Sequence, residues 1–75
     1  MTQLTEQSAR QIAVEFLKKR KSTDKIEVAL IERQEDCWVI RGTTPIEFGG
    51  TQWPERFVIV VDPKGKIKSS DFGLL

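Results

Sequence analysis

Only one stretch of this sequence spaces its apolar residues as a helix does, and everything after it alternates. Ala9, Ile12, Ala13, Phe16 and Leu17 fall at i, i+3, i+4, i+7 and i+8, a single apolar stripe. Downstream, Ile26, Val28 and Leu30 alternate with Glu27, Ala29 and Ile31, and the runs Cys37–Arg41 and Arg56–Val61 are rich in β-branched and aromatic residues. One helix covers only one face of a sheet. The expected architecture is therefore α+β, with one N-terminal helix packed on a three- to four-stranded antiparallel β-meander whose strands lie side by side in chain order.

The helix is expected over about residues 5–20. Thr5 is a good N-cap, Leu4 and Ala9 are placed as a hydrophobic staple, and Ser8 with Gln11 forms a weaker capping-box alternative. Glu6 sits near the positive end of the helix dipole and Lys18–Lys21 near the negative end, after which Ser22-Thr23-Asp24 breaks the pattern. Phe16 is expected to pack on the helix-facing side of the sheet.

Strands are expected near 26–33, over 37–41 ending at Gly42, and over 56–61, with a short polar turn at Gln34-Glu35-Asp36. Asp62-Pro63-Lys64-Gly65 reads as a type I turn with a bulge, because proline presets φ and glycine accepts a positive one. A weaker strand, 66–70, returns from it, and the tail 71–75 either packs or frays. Residues 42–55, with Pro45, Phe48, Gly49, Gly50, Trp53 and Pro54, read as a connection long for a hairpin, where about 2–5 residues is usual.

A chain of 75 residues makes one domain, 1–75. A domain this short buries only about 60% of the surface its unfolded chain exposes. Small domains often compensate with a disulfide, a metal or a partner subunit. Cys37 is the only cysteine and there is no histidine, so no internal disulfide forms and the commonest metal ligand is missing. A partner subunit is the option that remains. Twelve Lys and Arg balance eleven Asp and Glu, so no global field favours nucleic acid or an acidic partner. No apolar run approaches the roughly 18 residues of a membrane span, and the polar N-terminal stretch lacks the apolar core of a signal peptide. A single free cysteine suits a reducing compartment. The expectation is a cytoplasmic protein with no membrane partner.

The layout resembles a known family. An amphipathic helix carrying Ala9, Ile12 and Ala13 is followed by a strand and by a Trp-containing strand, Trp38-Val39-Ile40. A final hairpin turns on Asp62-Pro63-Lys64-Gly65-Lys66-Ile67. Over about the whole chain this is similar to the small PepSY-type domains and other cystatin-like helix-plus-meander proteins. The resemblance implies the same helix-on-meander fold. It also implies an exported protein that restrains a peptidase.

The residues offer little chemistry. A catalytic thiol needs a base beside it, and Cys37 lies in an apolar strand where a buried thiol stays protonated. Glu35-Asp36 is a turn pair expected to be solvated, and Glu27 and Glu32 have opposite parity along their strand. Gly49-Gly50 is followed by neither a lysine nor a helix, as a phosphate loop would require. No cluster has metal-ligand spacing. The expectation is a protein with no catalytic residues, no metal and no cofactor.

Two features point to binding. The run Lys18, Lys19, Arg20 and Lys21 suits an anion or a nucleic acid, and equally suits a helix C-terminus that solvates its cations. In a simple meander that run shares an end of the molecule with the 42–55 stretch, and Lys64-Gly65-Lys66 lies at the other end. A small-ligand or single-strand site could then add stacking on Phe48 or Trp53, although Trp53 suits a core cap as well. The second feature is a sheet that is apolar on both sides, which marks an interaction surface. The set Ala29, Ile31, Trp38, Ile40, Val58 and Val60 is expected to line the helix-free face. Phe48 and Trp53, folded back over that face, are the alternative. The function expected is a non-enzymatic interaction module, a homodimer or a protein-binding domain. The runner-up is a small anion- or nucleic-acid-binding protein, and a third reading is the peptidase-restraining domain that the resemblance implies.

Overall fold

A computed structural model describes residues 4–74. The chain forms α1 (Glu6–Lys21), β1 (Glu27–Gln34), β2 (Cys37–Phe48), β3 (Thr51–Val61) and β4 (Ile67–Leu74). The four strands make one antiparallel sheet in the order β1-β2-β3-β4, so the α+β helix-on-meander fold expected from the sequence is the fold observed.

The helix begins where the sequence signals it. The Thr5 hydroxyl accepts a hydrogen bond from the Ser8 amide at 3.1 Å, satisfying one of the free donors of the first turn. The helix ends at Ser22, which takes the left-handed conformation at φ 52°. The Asp62–Gly65 turn forms as its residues dictate. The Gly65 amide donates to the Asp62 carbonyl at 3.0 Å, and Gly65 takes φ +84°. The Asp62 carboxylate also accepts from the amides of Lys64 and Lys66, both at 2.9 Å, locking the turn.

Ala9, Ala13 and Leu17 press on Ile40, Phe57, Ile59 and Val61 to form the core. Ile12, Phe16, Val28, Ile31, Trp38 and Phe72 pack around this centre, only partly buried. The β2–β3 register explains the choice. Ile40 pairs with Ile59, Gly42 with Phe57 and Trp38 with Val61, so all six share the helix-facing side.

This register corrects the expected face of the sheet. Ile31, Trp38 and Ile40 lie on the helix-facing side, not the helix-free one, and Ile40 is fully buried there. Val58 and Val60, paired with Arg41 and Val39, do lie on the helix-free face. The β2–β3 register places Trp38 and Ile40 on the helix-facing side, and a bulge in β1 places Ile31 there. Val28 pairs with Gly42 and Leu30 with Arg41, leaving Ala29 as the extra residue. The bulge reverses the strand's parity, so Val28 and Ile31 both face the helix while Leu30 turns outward, 49% exposed.

A second correction concerns residues 42–55, which are not a loop. β2 and β3 run on through them in unbroken antiparallel register to a two-residue turn at Gly49-Gly50. Phe48 therefore extends away from the body, Trp53 stands half exposed beside residues 24–27, and neither folds over the helix-free face. β4 reaches Leu74, so the tail packs as a strand through Phe72.

Candidate functional site

The long β2–β3 hairpin leaves its neighbours behind. β1 pairs with β2 only up to the Glu27–Thr43 pair, and β4 pairs with β3 only as far as Glu55. Residues 44–54 continue as a two-stranded ribbon closed by Gly49 and Gly50. Their φ values of 61° and 80° match the type I′ turn that fits strand twist. The helix-side face of this ribbon carries Ile46 opposite Trp53 and Phe48 opposite Thr51. Phe48 is 72% exposed and Trp53 50%, the largest apolar side chains that the body does not cover.

Both edges of the ribbon are blunted. Pro45 pairs directly with Pro54. Proline has no N–H, so this cannot be one of the hydrogen-bonded pairs of the ladder. In the alternating pattern both prolines therefore aim their nitrogens at the outer edges. Each edge loses a donor where an added strand would bind, which is how exposed edges avoid pairing with other chains. The side-chain faces remain as the contact surfaces.

At the ribbon's root the segment 24–27 faces it across an open groove of about 530 Å³, lined by Lys25, Ile26, Thr44, Pro45, Trp53 and Pro54 among others. The Thr44 hydroxyl is sealed from solvent and has no hydrogen-bond partner among the described residues. Asp24 and Glu27 add carboxylates to the same groove, so its charge is mixed.

The basic run does lie at this end of the molecule, as the meander topology requires. Half of it is engaged internally. The Lys21 ammonium sits 2.6 Å from Glu55 Oε1, an oxygen sealed from solvent that meets this charge rather than an aligned hydrogen-bond donor. The same ammonium lies 4.2 Å from the Phe72 ring centre. The Arg20 guanidinium lies 5.3 Å from Phe72 and 6.0 Å from Phe16. Lys18 and Lys19 are exposed.

The helix-free face is less apolar than the sequence suggested. Its centre is Val39, 4% exposed, flanked by Val58 and Val60. Charged stems rim it: Glu32 meets Arg41 at 3.6 Å, and Lys68 lies beside Cys37 and Val60. Cys37, 7% exposed, belongs to this face, with its sulfur 3.7 Å from an Asp36 carboxylate oxygen. Burial pushes its thiol above the ordinary value, and the Asp36 charge adds to that against an opposing pull from Lys68. Trp38, on the other side, is tied into the fold: its indole donates to the Leu4 carbonyl at 3.1 Å, and Arg33 lies 5.7 Å from its ring.

Among the described residues no three His, Cys, Asp or Glu side chains gather where a metal ion would bind, and no helix is long and apolar enough to cross a membrane. The ribbon is the element that sequence reasoning missed, although its signal was present. Gly49-Gly50 is a two-residue hairpin turn, and Thr44, Ile46 and Phe48 alternate with Pro45 and Glu47 on its approach. No protein-family model, curated protein or solved structure matches this chain.

Proposed function

We propose that this chain is a non-enzymatic interaction module that associates with a second copy of itself. Its contact surface is the ribbon face of Ile46, Phe48 and Trp53 rather than the helix-free side of the sheet. The observation that carries this reading is the exposure of Phe48 and Trp53 on a ribbon that the body leaves bare. With Ile31, Trp38 and Ile40 on the helix-facing side, the helix-free face keeps only a valine centre inside a charged rim, a weaker basis for association.

Sedimentation equilibrium at micromolar concentration tests the reading. The expected species has twice the 8.6 kDa chain mass. Phe48→Asp should dissociate it with the helical circular-dichroism signal intact, and Val58→Lys should leave it associated. A wild-type chain that sediments at the monomer mass at every concentration defeats the proposal. Dissociation by Val58→Lys alone returns the interface to the helix-free face.

A second reading has one observation in its favour. Exposed Lys18, Lys19 and Lys25 share an end of the molecule with Trp53, as a single-strand or anion site would need. Binding to an oligonucleotide that weakens steeply with salt and is lost in Trp53→Ala would support it.

A further inference from the structure

Resting on the self-association just described, we propose that the two copies dock reciprocally. Phe48 at the tip of each ribbon sits in the groove at the root of the other's ribbon.

The exposed area leaves room for a cover of this size. The chain exposes 5437 Å², about 700 Å² more than the ~4,700 Å² expected of a folded monomer of its mass. That excess is close to the ~800 Å² each partner contributes to a standard interface. It goes with shape, since the molecule measures 48 Å along its long axis and only 19 and 17 Å across.

A second copy fits because knob and socket lie on the same ribbon. Phe48 projects at the tip, and the groove walled by Ile26, Trp53 and Pro54 opens at the root. Four residues separate Phe48 from Thr44, roughly 14 Å at the ~3.4 Å rise of an antiparallel strand. Two ribbons laid antiparallel about a two-fold axis, face to face through the side that carries Ile46, Phe48 and Trp53, bring each knob to the Trp53 wall of the other's groove at once, and the interface closes on itself as a dimer. The groove's volume of about 530 Å³ lies within the ~300–1,000 Å³ of small-molecule sites, ample for one phenylalanine ring. A net charge of +1 imposes little repulsion between copies. The Pro45–Pro54 pair disfavours the competing mode, in which ribbons join edge to edge into a continuous sheet, by removing a donor from each edge.

Complementation of two variants tests the reciprocity. Phe48→Ala removes the knob and keeps the socket, while Trp53→Ala removes a socket wall and keeps the knob. Each variant alone loses both contacts of the dimer. An equimolar mixture restores one of the two, in the mixed dimer. With each docked aromatic contributing about tenfold, each variant alone should associate about a hundredfold more weakly than wild type, and the mixed dimer only about tenfold more weakly. Fluorescence anisotropy of a labelled Phe48→Ala chain titrated with Trp53→Ala reads the mixed dimer directly, with circular dichroism checking that both variants fold. A mixture no tighter than either variant alone, beside a wild-type dimer, overturns reciprocal docking and leaves self-association standing. A monomeric wild type overturns both.

Discussion

Gly42 is the glycine with the least room for a side chain. It sits in β2 between the Glu27 carbonyl and the Phe57 ring, its cross-strand partner. A Cβ there would run into the Glu27 carbonyl oxygen and lie 2.7 Å from the ring. The carbonyl is backbone fixed by the β1–β2 ladder, so the contact cannot relax by a rotamer change. Gly42→Ala is expected to destabilise the fold by about 1–3 kcal/mol, read as a lower denaturation midpoint in urea. An unchanged midpoint would mean that β1 pulls away from β2 at no cost. Cys37 illustrates a different constraint. Burial and the nearby Asp36 charge raise its pKa, so the reactive thiolate forms less readily than in a free thiol at the same pH. Thiol reagents should label the native protein slowly at neutral pH, faster as pH rises, and fast at once on unfolding. Rapid native labelling at neutral pH would reveal an activated thiolate.

At the scale of elements, the helix anchors itself through Leu17. Phe16 reaches the sheet as its spacing predicted, but its ring is only partly buried, with the Arg20 guanidinium 6.0 Å away. Leu17, with Ala9 and Ala13, is fully enclosed. Leu17→Ala should cost about 2–5 kcal/mol, and Phe16→Ala less than the ~3–5 kcal/mol typical of an enclosed phenylalanine. Chemical denaturation of the pair decides it, and a larger loss for Phe16 would require the helix to be rotated about its axis. The two hairpin ends of the sheet contrast in a similar way. The Asp62–Gly65 turn is fastened by its own aspartate and lies beside the helix, with Gly65 close to Ile12. The Gly49-Gly50 turn has open space around both glycines. One hairpin belongs to the core and the other leaves it.

At the scale of the whole molecule, a 75-residue chain has spent much of its sheet on a projection. Residues 44–54 add little to the core, yet they hold the largest exposed aromatic side chains. Domains this small have a thin stability margin, and covering this surface with a second copy returns apolar contact at about 25 cal/mol for each Å² removed from water. Such an interface is not ionic. The sedimentation experiment should therefore give nearly the same association at about 0.05 M and 0.5 M salt, because screening acts on charges and not on apolar burial. Association that collapses over this range would point instead to the basic helix end.

The sequence by itself determined the kind and order of the elements and left open whether the strands number three or four. Periodicity of the apolar residues separates the helix from the strands, Thr5 and Asp62–Gly65 carry their own hydrogen-bonding chemistry, and these signals are local. It also placed the basic run and residues 42–55 at one end, because a meander fixes which ends meet. Which face each strand buries was decided only in three dimensions. Strand parity is defined by pairing, and one bulge at Ala29 reversed it for Ile31. The ribbon was misread for a related reason. Its prolines and glycines are the residues of loops, and only the register shows Pro45 meeting Pro54 where neither needs an N–H for the ladder. Likewise Lys21 and Arg20 look free in the sequence, and tertiary packing brings Glu55 and Phe72 to them from strands more than thirty residues away. Long-range pairing leaves no mark on local spacing, which is why the fold was legible and the surface was not.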